Sequence, residues 1–162
     1  MLWLRGIVFS VLIPGFVGFW APYSMRGDKG LAGGLWQLDW IAVAAGVTLY
    51  ASCLASFLAA HGTPAIFFTR PLRFLLGEEP AGLVRNGFYR VSRNPMYLGV
   101  TLAIFGQALL FASRTIALYG AIVWMWFHLV VTLVEEPHLH AKQGAPYDEY
   151  CRQVPRWLGR AR

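Results

Sequence analysis

Two groups of polar residues border the apolar stretches in the second half of the chain. The first is the run Arg93-Asn94-Pro95-Met96-Tyr97-Leu98-Gly99, which opens one apolar stretch, and the second is the pair Glu135-Glu136, which closes the next. Charged side chains at the ends of apolar helices are costly unless they are paired or face water. Their presence at both positions therefore predicts a binding site.

The first group has the properties of an anion site. Asn is favoured as a helix cap and Pro at the first helical position, so Asn94 and Pro95 predict the start of a helix. The unpaired amides and the positive dipole of that start, together with the Arg93 guanidinium, suit a carboxylate or a phosphate. We therefore expect an anionic ligand group at this end.

The acidic pair favours the opposite charge. Two glutamates at a helix C-terminus are disfavoured by the helix dipole, by about 0.3 to 1 kcal/mol each when exposed. A cationic partner would relieve this cost, and the sequence leaves two sources open. One is an internal arginine, Arg90 or Arg93, and the other is a bound ligand that carries both an anionic and a cationic group.

The elements that must position these groups are apolar helices. Of the 162 residues, 57% are hydrophobic and 14% are charged, and the mean hydropathy is +0.48. This composition excludes an ordinary soluble domain of this size. Four stretches without a charged side chain are long enough to cross a bilayer, namely residues 6–25, 40–60, 96–113 and 115–134. We predict an all-α integral membrane protein with four transmembrane helices in a single domain, residues 1–162.

The positions of Lys and Arg predict the orientation of these helices. With four spans, eleven basic residues fall on the side of the two termini and three on the other side. Because basic residues resist translocation, we expect both termini in the cytoplasm, at a bacterial inner membrane or an equivalent one. The net charge of +6 then lies mostly where anionic membrane lipids attract it. No soluble basic domain remains to bind a nucleic acid.

Two cytoplasmic segments are expected to lie against the membrane ends of the spans. Residues 66–76 mix aromatic and aliphatic side chains with two arginines, which favours a short interfacial helix. One helical face of the tail carries Tyr147, Tyr150, Cys151 and Val154. This spacing predicts an amphipathic helix, ended by Pro155, that packs as a cover over the cytoplasmic ends of the spans.

Other polar residues suggest structural roles. Gln107 and His128 lie within the third and fourth predicted spans, and we expect them to hydrogen-bond across that hairpin. His138 and His140 lie close to the acidic pair, but they do not complete a ligand set, so no metal site is predicted.

Three motifs occur in order along the second half of the chain. They are Gly87-Phe88-Tyr89-Arg90-Val91-Ser92-Arg93-Asn94-Pro95-Met96-Tyr97-Leu98-Gly99, then Glu135-Glu136-Pro137 with Leu139, then Gly144, Tyr147 and Tyr150 with Val154-Pro155-Arg156. Together they resemble the isoprenylcysteine carboxyl methyltransferase and phospholipid methyltransferase superfamily. The resemblance covers about residues 82–157, whereas the first two spans resemble that family only in being apolar.

The resemblance implies a membrane methyltransferase that depends on S-adenosylmethionine. The cofactor would bind at the cytoplasmic ends of the last two spans, beneath the C-terminal segment, and its carboxylate and ammonium would match the basic and acidic ends. The residues implied in catalysis are Arg93, Asn94 and Tyr97. The residues implied in cofactor binding are Tyr89, Asn94, Tyr97, Leu98, Gly99, Glu135, Glu136 and Tyr147.

One position departs from the family pattern. The commonest form of the motif has His where this chain has Asn94, and an amide cannot exchange a proton near neutral pH. The resemblance therefore does not supply a general base at this position. It implies a lipophilic acceptor that enters from the membrane, and an isoprenylcysteine carboxylate, a phospholipid amine and a thiol all remain open.

Two other functions account for part of the pattern. Membrane reductases of the sterol-reductase type have a similar Arg-His-Pro-x-Tyr motif and use NADPH, but they usually have more spans. A non-catalytic four-helix membrane protein would use its end charges only for internal pairing. The acidic pair and the tail motif favour the methyltransferase, and the sequence does not indicate an oligomeric state.

Overall fold

Helix is the only regular secondary structure in the residues that the computed structural model describes, which are 2–27, 36–63 and 80–159. Three helices are long and apolar enough to cross a membrane, namely Leu4–Ser24, Asp39–Ala59 and Arg114–Gln143. The chain is therefore an all-α integral membrane protein, as its composition predicts. The interfacial helix predicted at residues 66–76 lies outside the described residues.

The first helix, α1, is irregular in its middle. It consists of the consecutive segments Leu2–Ser10, Val11–Trp20 and Ala21–Ser24. The central segment is π-helical and contains Pro14, which has no N–H to donate. The wider turn accommodates this residue, so the helix continues through Pro14.

Side chains from later helices bind the irregular part of α1. The Tyr119 hydroxyl donates to the Val17 carbonyl at 2.9 Å, and the Gln107 amide donates to the Gly18 carbonyl at 2.6 Å. Gln107 is buried, so its hydrogen bond to the Gly18 carbonyl stabilises the attachment of α1 to the bundle. The predicted hydrogen bond between Gln107 and His128 is wrong, because each side chain has a different partner.

The second and third helices, α2 (Trp36–Ala59) and α3 (Pro95–Leu110), approach closely at glycines. A Cβ added at Gly46 would lie 2.6 Å from the Gly99 carbonyl oxygen, and one added at Gly99 would lie 2.8 Å from the Gly46 carbonyl oxygen. Real Cβ atoms essentially never come this close to another heavy atom. Glycine on both helices therefore permits the crossing, as small residues do between membrane helices.

A short turn joins α3 to α4 (Arg114–Val130). α3 ends three residues before its predicted end, because the chain turns at Ala112, which has a φ of 44°. Ser113 then caps α4 by accepting a hydrogen bond from the Ile116 N–H. The two helices pack as a hairpin around buried residues, namely Val100, Ile104, Ala108, Ile116 and Val123.

α4 does not end at the acidic pair. It continues through a π-helical turn, Val131–Glu135, into α5 (Glu136–Gln143), so one helix runs from Arg114 to Gln143. Pro137 follows this π-helical turn, whose wider geometry accommodates the missing N–H, so the proline does not stop the helix. The prediction that Glu135 and Glu136 lie at a helix C-terminus is therefore wrong, and the unfavourable dipole term does not apply to them.

The last helix, α6 (Ala145–Gln153), folds back over this end of the bundle. The reversal occurs at Gly144, whose φ of 57° is readily available only to glycine. α6 buries Tyr147 and Tyr150. Leu83 and Leu139 pack against the same apolar side, so α6 packs on α5 and on the segment that precedes α3.

Candidate active site

A cluster of three charged side chains lies where α3 begins and α5 begins. Arg156 donates from Nε and Nη2 to the two carboxylate oxygens of Glu136, at 2.8 and 2.7 Å. Arg93 lies 3.0 Å from the same carboxylate, measured from Nη1 to Oε1. Of the two arginines considered from the sequence, Arg93 pairs with Glu136, whereas Arg90 is exposed. The fork-shaped contact of Arg156 is the geometry in which guanidinium and carboxylate bind most strongly.

The Arg93–Glu136 pair is largely shielded from water. Each side chain retains only 13% of its accessible surface. In the described part of the chain, the buried Nε of Arg93 has no hydrogen-bond partner. A buried N–H without an acceptor is unfavourable. Arg93 therefore retains a donor that an anionic ligand group could satisfy.

Tyr97 and Glu135 form a second polar contact beside this cluster. The Tyr97 hydroxyl, one turn into α3, donates to Oε1 of Glu135. The Tyr97 ring packs on Phe127 of α4, with 4.5 Å between ring centroids. The two helices are thus connected at this level by a hydrogen bond and an aromatic contact. Glu135 and Glu136 have different protein partners, which the sequence did not distinguish.

Asn94 occupies the cap position of α3, but its side chain makes no capping hydrogen bond. Its Nδ2 instead donates to the Arg156 carbonyl at 3.0 Å, and the Ser92 hydroxyl donates to the same oxygen at 3.2 Å. The Arg93 N–H donates to the Pro155 carbonyl at 2.9 Å. Residues 92–94 therefore hold the segment after α6, residues 154–157, which we call the tail strap.

The far end of the tail strap is attached to α4. The Trp157 indole donates from Nε1 to Nδ1 of His128 at 3.2 Å. Trp124 stacks on the His128 imidazole, with 5.6 Å between centroids and 14° between planes. His128 thus binds the tail strap, which therefore connects the start of α3 to α4.

Two tyrosines of α6 complete the cover over the site. The Tyr150 hydroxyl donates to the carbonyl of Tyr89 at 2.6 Å, and Tyr89 belongs to a short 3₁₀ helix, Gly87–Arg90, that leads into α3. Burial raises the pKa values of Tyr147 and Tyr150, so both phenols remain neutral donors at physiological pH. Tyr89 is itself buried, and burial raises its pKa too.

The Tyr150→Phe variant is expected to lower the free energy of unfolding by about 1 to 3 kcal/mol. It keeps the buried ring but removes the donor that satisfies the Tyr89 carbonyl. Thermal unfolding of the detergent-solubilised protein measures this change. Tyr23→Phe, at an exposed tyrosine of α1, should melt like the wild type. Equal melting temperatures for Y150F and the wild type would contradict the prediction.

A cavity of about 530 Å³ opens from these polar groups into the bundle. Its polar end is lined by Tyr89, Arg93, Asn94, Tyr97, Glu135, Glu136 and Tyr147. Its apolar part lies among α1, α2, α3 and α4, with lining residues that include Phe9, Val17, Phe57, Val100, Val123 and Phe127. One cavity thus combines both charges with a long apolar compartment.

Leu98 and Gly99 do not belong to this cavity as the described residues define it. Gly99 does permit a close approach of backbone, but the approaching backbone is that of α2 at Gly46 and Tyr50. Replacing Gly99 by a larger residue would therefore disturb the packing of α3 on α2. Any contact of Leu98 or Gly99 with a cofactor stays a prediction.

The contact of Arg156 with the candidate site was not predicted from the sequence. Arg156 belongs to the quoted Val154-Pro155-Arg156 motif, yet nothing in the local pattern indicates a partner 20 residues away at Glu136. Only the reversal of the chain at Gly144 brings the two together. Ser92 and His128 are similar cases, because their partners also lie in the tail strap.

Comparison with known protein families gives one match. The model of the phospholipid methyltransferase family, PEMT, matches residues 41–144. The chain belongs to the phospholipid methyltransferase family. No curated protein and no solved structure matches the chain significantly. This family membership indicates a methyltransferase. Three helices long enough to cross a bilayer indicate that it is a membrane protein.

The range matched by the phospholipid methyltransferase family is not the range that the sequence motifs cover. It begins at residue 41, within α2, and ends at residue 144, before α6. The second apolar helix therefore shares more with the family than its composition. The tail motif lies beyond the matched range, so its connection to the site rests on the contacts of the tail strap with residues 92–94.

Proposed function

We propose that this chain transfers a methyl group from S-adenosylmethionine to a lipophilic acceptor at the cytoplasmic face of a membrane. The observation that carries this proposal is the single cavity that joins the Arg93–Glu136 pair to an apolar compartment. The amino-acid part of the cofactor is zwitterionic, and the acceptor is lipophilic. The two parts of the cavity match these two properties.

The donor set fits the amino-acid part of S-adenosylmethionine. The Nε–H of Arg93, which has no partner among the described residues, offers a site for the carboxylate. Glu136 and Glu135 offer carboxylate oxygens for the ammonium, and both line the cavity. A ligand with both charges would satisfy the cluster without leaving a buried charge uncompensated.

The bound cofactor would supply an electrophilic methyl group on a sulfonium. The chain then has to align the acceptor with it and exclude water, since this reaction type depends mainly on position. α6 and the tail strap cover the polar end, and Tyr97 is held by Glu135 and Phe127. Asn94 is engaged with the Arg156 carbonyl and has no acid–base function at neutral pH.

The apolar part of the cavity suits an acceptor that enters from the bilayer. Ile122 and Trp126 of α4 line it, and each is 61% exposed on the outer surface of the bundle. Side chains with this exposure would contact lipid in a membrane. Acceptors with a carboxylate, an amine or a thiol are all compatible with this path.

We propose that α3 is the fourth crossing and that both termini lie in the cytoplasm. α3 spans about 24 Å at 1.5 Å per residue, somewhat less than a hydrocarbon core of about 30 Å. It packs closely against α2, and a turn of three residues connects it to α4. Since the helix Arg114–Gln143, which begins with α4, is long enough to cross, its hairpin partner must return across most of the same thickness.

Membranes that contain this protein should transfer label from methyl-labelled S-adenosylmethionine into a lipid-extractable product. Mass spectrometry of the product would identify the acceptor class. Matched membranes without the protein provide the background. In parallel, the purified protein should bind S-adenosylmethionine and its demethylated product but not NADPH. Binding of NADPH alone would favour a reductase, and binding of neither would favour a non-catalytic membrane protein.

A further inference from the structure

Arg156 binds the Glu136 carboxylate from outside the cavity. Glu136 and Arg93 line the cavity, whereas Arg156 is not among its lining residues in the described part of the chain. The Arg156 side chain is 37% exposed, compared with 13% for Glu136. Arg156 therefore lies on the solvent side of the carboxylate, and Glu136 separates it from any ligand in the cavity.

The contact fixes the orientation of the carboxylate. One guanidinium holds both oxygens, through Nε and Nη2. A planar fork on a planar carboxylate restricts rotation about the last bond of the glutamate side chain. The hydrogen bonds that Arg156 donates to Glu136 also raise the pKa of Arg156, so the guanidinium stays charged.

Arg156 is itself held in place through its backbone. Its carbonyl accepts hydrogen bonds from Ser92 and Asn94, and the carbonyl of Pro155 accepts one from the Arg93 N–H. The next residue, Trp157, is bound to His128. The guanidinium therefore projects from a segment that is attached on both sides.

We propose that Arg156 is a positioning residue that holds the Glu136 carboxylate in the orientation needed to bind the ammonium of the methyl donor. This inference rests on the proposed function. It assigns a role to a residue outside the range of the family match, which ends at residue 144. Binding of the amino-acid part of the ligand then depends on Arg156, whereas binding of the adenosine does not.

Arg156→Gln tests this role with two ligands that share the thioadenosine part and differ in the amino-acid part. S-Adenosylhomocysteine carries the ammonium and carboxylate, whereas methylthioadenosine lacks both. We expect R156Q to weaken binding of S-adenosylhomocysteine by about tenfold, the effect of one charge-assisted hydrogen-bonded contact. The affinity for methylthioadenosine should not change. Calorimetry on the full-length protein in detergent measures both affinities.

Two further substitutions, Arg152→Gln and Arg156→Lys, can be compared with R156Q. Arg93 still neutralises Glu136 in R156Q, so the variant should remain folded. Arg152→Gln removes an exposed arginine of α6 that pairs with Glu149, and it should leave both affinities unchanged. Arg156→Lys retains the charge but cannot bridge both oxygens as a fork, so it should bind S-adenosylhomocysteine less tightly than the wild type.

Several outcomes would overturn the inference. Equal loss of both ligands in R156Q would show that Arg156 acts through the folding of the tail strap. Unchanged affinity for S-adenosylhomocysteine would exclude a positioning role, and full affinity in R156K would exclude the need for the fork. A wild-type protein that binds neither ligand would instead overturn the proposed function on which this inference rests.

Discussion

Replacing Glu136 by glutamine is expected to weaken binding of S-adenosylhomocysteine by roughly a hundredfold, because it removes one partner of a desolvated charge pair. The glutamine has nearly the same shape but no charge, and it would leave the guanidiniums of Arg93 and Arg156 without their anion. In the proposed complex it would also leave the ligand ammonium without its anion. Titration calorimetry on the purified protein measures this loss.

Glu149→Gln is the control for this substitution. Glu149 is an exposed glutamate of α6 that pairs with Arg152 and Gln153 of its own helix, so its loss should leave the affinity unchanged. The melting temperature of E136Q tests whether the protein remains folded. A folded E136Q that binds the ligand as tightly as the wild type would remove Glu136 from the site.

Replacing Gly99 by valine is expected to destabilise the protein by about 3 kcal/mol or more, at the upper end of the usual cost of overpacking. A Cβ at this position would lie 2.8 Å from the Gly46 carbonyl oxygen and 2.9 Å from the Tyr50 nitrogen. Both atoms belong to the backbone of α2, so no side chain can move aside. The two helices would have to separate.

Thermal unfolding in detergent measures this effect, and Gly82→Val provides a control with the same change of side chain. A Cβ at Gly82 meets no heavy atom within 4 Å, so that variant should melt close to the wild type. A G99V protein with a normal melting temperature would show that α2 and α3 do not depend on this close contact. In that case, a loss of ligand binding in G99V could not be attributed to the separation of α2 and α3.

Several parts of the site could be predicted from local residue types. Asn94 and Pro95 marked the start of α3, because the missing N–H of proline is harmless at a first helical position. The short connection after α3 implied a hairpin, which brings Arg93 near the acidic pair, and the salt bridge between Arg93 and Glu136 follows from that connectivity. Spacing in the tail indicated a helix whose tyrosines face inward, and Tyr147 and Tyr150 are buried.

Other parts could not be predicted, because they depend on contacts between distant segments. The acidic pair after residue 134 suggested the end of a helix, whereas a π-helical turn allows the helix to continue to Gln143. Nothing in the local sequence around Gly99 indicated that this glycine lies against the backbone of α2. Asn94 has the residue type of a cap but donates its amide to the Arg156 carbonyl. In each case a partner from elsewhere in the fold overrides the local preference.

The sequence by itself determined that the chain is helical, lies in a membrane and carries an Arg93 motif and an acidic pair at one end of a hairpin. These properties follow from composition, from runs of apolar residues and from short-range preferences, which need no knowledge of the fold. The tertiary structure decided which carboxylate Tyr97 binds, how α2 packs on α3, and that Arg156 holds Glu136. A salt bridge requires its atoms to meet within a few ångströms, and only the reversal at Gly144 and the hydrogen bonds of the tail strap bring Arg156 to that distance.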